Sequence, residues 1–349
     1  MRRQLPAVLA ALVMAGTLAA CAGKPTSDPK KLVVSTFGFG EQQFEQTVVK
    51  PFEQQTGIKV TVETGANADR LTKLRVDKNN PTTDVVMISD YFSTIGRQQG
   101  LFDKIDPAAV PNLSKIYDFA KDPAGYGPTY TYQLLGTLYR TDKVSKAEAS
   151  SWQGLWDGKH KGQIAIPDIS VSGGPTFLLA TGQTFGTGPT DADTGFRKLK
   201  ELKPDVLKFF TRSTELTSLL DRGEVVMAPG LDLFAVDLVK AGKPVAWVPP
   251  AKGRFLTANT VQLVKGAGNK AGAEKFINYL LDAGVQARAA QAYYDKPVNK
   301  GAKVPELLTK VAGDAAADPQ RAGYGPADLD LIAKNRDAWI QRFAREVSG

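Results

Sequence analysis

The stretch Pro167 to Phe185, "PDISVSGGPTFLLATGQTF", sets an acid close to a turn suited to anions. Asp168 follows the apolar run Gln163 to Ile166, and a carboxylate there favours a cation. Four residues later Ser172, Gly173 and Gly174 precede an apolar run with helical spacing. The first N–H groups of a helix have no backbone partner, so such a turn favours anions. A ligand using both features would carry an ammonium together with a phosphonate or carboxylate. The two glycines would equally serve a tight turn or a helix cap, and both readings stay open.

Other reactive residues give less. His160, in "SWQGLWDGKHKG", is the only histidine, so it has no histidine partner for a metal or a triad and reads as a solvent-exposed loop residue. Trp152 and Trp156 are spaced i, i+4, which suits packing. No Gly-x-Ser-x-Gly elbow, Walker loop or histidine-based triad is present, which argues against an enzyme and calls for no cofactor. An exported enzyme with its active site between two lobes is the alternative. Phe37, Phe39, Tyr91, Phe92 and Tyr132 fall in or near predicted strand-end loops. A ring face attracts an ammonium by about 0.5–2 kcal/mol, although core packing explains any one of them as well.

The elements that must position these residues follow from periodicity. Lys31–Thr36 is a β-rich run, and Phe44, Val48, Val49 and Phe52 have amphipathic helical spacing up to Gly57. "IKVTVET", "NADRLTKLRVDK", "TTDVVMIS" and "DYFSTIGRQQG" continue the series, so the first hundred residues read β-α-β-α-β-α. That pattern implies an α/β fold with a parallel sheet, helices on both faces and ligands beyond the carboxyl ends of the strands. "GPTYTYQLLGTLYRTDKV" alternates like a strand, and a second βα series follows. The two series suggest two lobes, with the Tyr132 and Asn259 strands crossing between them.

The chain opens "MRRQLPAVLAALVMAGTLAACAG", a basic start and a short apolar stretch that read as an export signal over residues 1–20. Leu18-Ala19-Ala20-Cys21 looks like a bacterial lipobox, which would place a lipid on Cys21 and leave residues 21–29 as a tether. Cys21 is the only cysteine, so no intramolecular disulfide can form. The net charge of +8 comes from interspersed residues of both signs, which suits solubility and not nucleic-acid binding.

Seven segments in order resemble the extracellular solute-binding proteins of bacterial ABC importers, in particular their polyamine-type cluster. They are "VVKPFEQQTGIKVTVE", "TDVVMISDYFSTIGRQQGLFDKID", "SWQGLWDGKHKGQIAIPD", "RGEVVMAPG", "GKPVAWVPP", "AEKFINYLLD" and "YYDKPVN". The resemblance implies a two-lobed, type II periplasmic-binding fold that closes on a small ligand by a hinge. It also implies delivery to a membrane permease by an exported, lipid-anchored monomer. Lobe one is expected over residues 30–138 with 256–300, and lobe two over 139–255 with 301–349.

The expected ligand-binding set is Phe37, Tyr91, Tyr132, Asp168, Ser172, Gly173 and Asn259. Asp168 matches a loop where polyamine binders carry an acid that pairs with an amine. Their Trp-x-Asp near the second crossover falls at "FLTANT", giving Thr257 and Asn259, so a second acid is missing. A diamine needs a carboxylate at each end, since a buried unpaired ammonium is costly. The departure favours an amphoteric ligand such as an aminophosphonate or an amino-acid conjugate, with polyamine open if Asp232 or Glu41 supplies the second acid. Ferric-binding relatives use a tyrosine pair at the position of "APGLDLF", which has no tyrosine, so Tyr293 and Tyr294 are weak grounds for iron.

Overall fold

The computed structural model describes residues 28–38 and 40–349. The expected export signal, the lipid site Cys21 and Phe39 lie outside the described residues. The first series is β1 (Lys31–Thr36), α1 (Glu41–Phe44), a π-helical turn, α2 (Lys50–Thr56), β2 (Lys59–Thr64), α3 (Asn67–Val76), β3 (Val85–Ser89), α4 (Asp90–Gln98) and the short β4 (Phe102–Asp103). Strand β5 (Thr129–Arg140) leads to α5 (Lys146–Ala149), β6 (Ile164–Pro167), α6 (Gly173–Phe185), α7 (Ala192–Leu202), β7 (Val206–Phe210) and α8 (Ser213–Arg222). Then come β8 (Met227–Leu231), α9 (Leu233–Lys240), β9 (Val245–Val248), β10 (Phe255–Val264), α10 (Lys270–Leu280) and α11 (Ala283–Tyr293). The chain finishes with β11 (Lys296–Pro297), α12 (Glu306–Ala312), β12 (Gly325–Pro326) and α13 (Leu329–Phe343).

Strand β1 pairs in parallel with β2 and β3, as the opening periodicity predicts, and β10 lies antiparallel to β3. The second sheet holds β6 in parallel with β7 and β8. Strand β5 joins the two. Its first half pairs with β10 up to Leu134↔Leu256, and its second half pairs with β8 from Leu135↔Leu231 and with β9. All but the last of its 12 residues are buried, which explains why its polar residues alternate less cleanly than those of an open-faced strand. Ring pairs pack the two halves: Phe52 meets Phe276 edge-on at 5.1 Å, and Trp152 meets Phe177 at 5.3 Å. His160 is not the solvent-exposed residue expected, because its side chain is 13% exposed and its Nε2 lies 2.8 Å from Glu148 Oε1.

The C-terminal segment touches both halves. Strand β12 pairs with β10, Arg336 lies over the Phe92 ring of α4 at 5.4 Å, and the Trp339 ring lies 6.3 Å from Phe196 of α7.

Where β5 passes between β8 and β9, Gly136 has no room for a side chain. A Cβ there would sit 2.4 Å from the Trp247 ring and 2.6 Å from the Val248 carbonyl oxygen, of which the second is backbone. Gly136→Ala should therefore destabilise the fold by about 1–3 kcal/mol, as overpacking does. Urea unfolding should give a lower midpoint at an unchanged slope, and an unchanged midpoint would mean that β5 and β9 separate easily.

Candidate functional site

The carboxyl ends of β1 and β3 and the middle of β10 open onto a cavity of about 200 Å³. It is lined by Phe37, Ser89, Tyr130, Ser172, Asn259 and Asp295, together with Thr257, Tyr293 and the apolar Leu231 and Leu233. A second pocket of about 150 Å³ shares Ser172 and Leu231 with it and adds Gly173, Arg212 and Ser213. Together they form a concave space of the size that holds a small solute.

Each wall follows from local structure. Arg70 of α3 is buried, and its guanidinium donates to the carbonyls of Gly65 at 2.9 Å and Met87 at 2.5 Å, tying down the strand ends. Phe37 lies against that guanidinium at 4.7 Å, which fixes the ring at the cavity edge. Burial lowers the Arg70 pKa to about 10. The β5–β10 register shifts between Asn259 and Thr260, and such an irregularity re-aims a side chain. Ser89 Oγ is buried without a hydrogen-bond partner among the described residues, so a polar ligand atom would satisfy it.

The acid of the site is Asp295. Helix α11 ends at Tyr294 in the left-handed conformation, φ 64°, the one positive-φ residue among the described residues that is not glycine. The turn brings Asp295 to the cavity and lets β11 pair with β5 through Lys296↔Tyr132 and Pro297↔Thr131. Burial pushes the Asp295 carboxyl up to about 7, and the nearby Lys296 charge offsets this only in part. An ammonium in the cavity would favour the ionised form.

The opposite wall suits an anion. Ser172 precedes the 13-residue α6 and makes no side-chain capping bond, and a Cβ at Gly173 would meet nothing within 4 Å. Arg212 is exposed and stands just before Ser213, the first residue of α8. Two helix starts and a guanidinium thus share one pocket.

Of the seven expected residues, Phe37, Ser172 and Asn259 line the cavity and Gly173 lines its extension. Three do not. Tyr91 is 3% exposed and packs on Phe92 at 4.3 Å, because it sits inside α4 and not in a loop. Tyr132 is fully buried and donates its hydroxyl to the Ala316 carbonyl at 2.9 Å. Asp168 lines neither pocket, since its Oδ1 accepts from Ser170 N at 2.9 Å and Ser170 Oγ at 2.6 Å in a local turn.

Gly174 serves that turn. A Cβ there would lie 2.1 Å from the Asp168 carbonyl oxygen, and its N–H already donates to Val171 O at 2.9 Å. Neither candidate second acid reaches the cavity: Glu41 is exposed, and Asp232 pairs with Lys296. Asp295, outside the expected set, and Tyr293, named in the sequence only in weighing iron, both line the cavity.

The pattern of strands, cleft and crossing β5 has close counterparts. The family model for bacterial extracellular solute-binding proteins matches residues 47–321. The spermidine/putrescine-binding periplasmic protein of Escherichia coli is 27% identical over 280 residues, 78% of this chain and 79% of that one. The gamma-aminobutyric acid-binding protein of Pseudomonas aeruginosa is 26% identical over 342 residues, 93% of each chain. The crystal structure of an ABC transporter from Clostridium perfringens superposes with a TM-score of 0.79 at 33% identity, over 90% of this chain and 99% of that one. The type II periplasmic-binding fold implied by the resemblance is the fold observed, and the chain belongs to the bacterial extracellular solute-binding protein family.

Proposed function

We propose that this protein captures a small amphoteric solute, with an ammonium on Asp295 and an anionic end at Ser172, Gly173 and Arg212, and delivers it to an ABC permease without a catalytic step. The observation that carries the reading is charge placement. The cavity is lined by one carboxylate, Asp295, and its extension by one guanidinium, Arg212. Tyr130, Tyr293 and Phe37 supply aromatic surface beside the acid. A single acid favours one ammonium over the two of a diamine, and an ω-amino acid meets both ends. A relative named for gamma-aminobutyric acid binding is in keeping with this choice, beside relatives named for polyamine binding.

The same reading takes the two sheets as the two lobes, with the hinge in β5 at Leu134–Leu135, four residues before the boundary expected at 138. On this reading residues 301–349 bridge the lobes, and do not belong to lobe two alone. A ligand touching both lobes stabilises the closed form by its differential affinity for it. Anchoring through a lipid on Cys21, at the outer face of the cell membrane or in the periplasm, completes the proposal. The protein acts as a monomer.

Three outcomes are expected. A thermal-shift screen against 4-aminobutyrate, 2-aminoethylphosphonate, putrescine and ferric salts should select an amphoteric compound, with about 2.7 kcal/mol of added stability at 100 times Kd. Asp295→Asn and Arg212→Gln should each weaken that compound, the first by about 2–5 kcal/mol as for a buried charge left unpaired. Putrescine bound tightly by Arg212→Gln and wild type alike would favour the polyamine reading.

Binding should also depend on pH through Asp295. The free carboxyl is protonated below about 7, and the ammonium needs it ionised, so affinity should rise with pH and level off above that value. Below it Kd should change by about tenfold per pH unit. A flat titration between pH 5 and 8 would contradict the assignment. Finally, Cys21→Ser should move the protein out of the membrane fraction, and identical fractionation of wild type and variant would exclude the lipid.

A further inference from the structure

This inference rests on the reading of Asp295 as the partner of the ligand's ammonium. Lys296 adjoins Asp295 but is fully buried, with its Nζ 2.5 Å from Asp232 Oδ2 in an ion contact whose angles do not make a hydrogen bond. The exposures of the two side chains are 0% and 2%. Asp232 is held in turn, because its Oδ1 accepts from Leu134 N at 2.9 Å on β5. Leu231 and Leu233 on either side of it line the cavity. Lys296 Nζ also lies 5.7 Å from the centre of the Tyr132 ring.

Two acids and one base are therefore gathered at one wall, and the base is committed to the acid that does not face the ligand. We propose that Asp232 is a positioning residue for ligand capture: by holding Lys296 it leaves Asp295 as the one negative charge open to a cation. In a poorly solvated wall charges interact strongly. Without Asp232, the Lys296 ammonium would bear on Asp295 alone, neutralise it and repel an incoming ammonium. The other titratable groups that act on Asp295 are the phenols of Tyr130 and Tyr293, which burial keeps neutral. One net carboxylate at the cavity suits a monocationic group.

The test uses the full-length protein, with 4-aminobutyrate and putrescine as probes in isothermal titration calorimetry. Asp232→Asn should weaken 4-aminobutyrate at pH 8 by at least about tenfold. It should also move the pH midpoint of binding downward, since the freed Lys296 charge favours ionised Asp295. Adding Lys296→Met to that variant removes the charge pair together and should restore affinity to within about threefold. Single and double variants that bind alike, or a single variant that binds as wild type does, would overturn the proposal.

Lys296→Met alone provides a second route if Asp232→Asn does not fold. It removes the charge that Asp232 is there to hold, so 4-aminobutyrate should bind within about threefold of wild type. A loss of about tenfold or more would overturn the proposal. Asp295→Asn separates this inference from the parent reading. Wild-type binding by Asp295→Asn, or no binding of either probe by wild type, defeats the parent reading. Loss in Asp295→Asn with no loss in Asp232→Asn defeats only the positioning role.

Discussion

A half-buried carboxylate at a cavity wall favours a cation, and Asp295 forms no ion pair among the described residues. Lys296, its neighbour along the chain, lies against Asp232 instead. The imbalance shows in Asp295 itself, whose carboxyl is pushed up to about 7 by burial. Much of the surrounding structure serves to hold this acid at the cavity: the left-handed Tyr294 that ends α11, the short β11 that pairs with β5, and the Arg70 brace beneath Phe37. A folded protein tolerates such an uncompensated group where a ligand is to complete it.

The strand that makes this possible is β5. It belongs to both sheets, and its first half carries Tyr130 and Gln133 to the cavity while its second half pairs antiparallel with β8 and β9. A small rotation about Leu134–Leu135 would move Ser172 and Arg212 relative to Asp295 without breaking either sheet. The Asp232 hydrogen bond to Leu134 N lies at that same point, so the charge arrangement and the proposed hinge meet in one residue.

Much of the fold was legible in the sequence because it rests on local periodicity. The β-α-β-α-β-α opening, the long alternating strand at Thr129–Arg140 and the second βα series each stand where spacing predicts them. The cavity floor was legible for the same reason, since Phe37 directly follows β1, Ser172 directly precedes α6 and Asn259 lies on a recognisable crossover. The acid was not. Asp168 has the right place in the chain, but its carboxylate is consumed by Ser170 two residues away, a local competition that spacing does not reveal. Asp295 reaches the cavity only through the pairing of a two-residue strand with β5, far away in sequence. Tyr132 was misjudged because alternation gives the face of a strand but not which face is covered. Here Ala315 and Ala316, from near the end of the chain, lie over it.

The central claim is that Asp295 receives the ammonium of the solute. It is tested most directly by a crystal structure of the protein with the compound that a thermal-shift screen selects. The account predicts the ligand nitrogen within about 2.7–3.2 Å of the Asp295 carboxylate, with the anionic end toward Gly173 and Arg212. A ligand whose nitrogen sits elsewhere, with Asp295 left facing water or a neutral group, would contradict it.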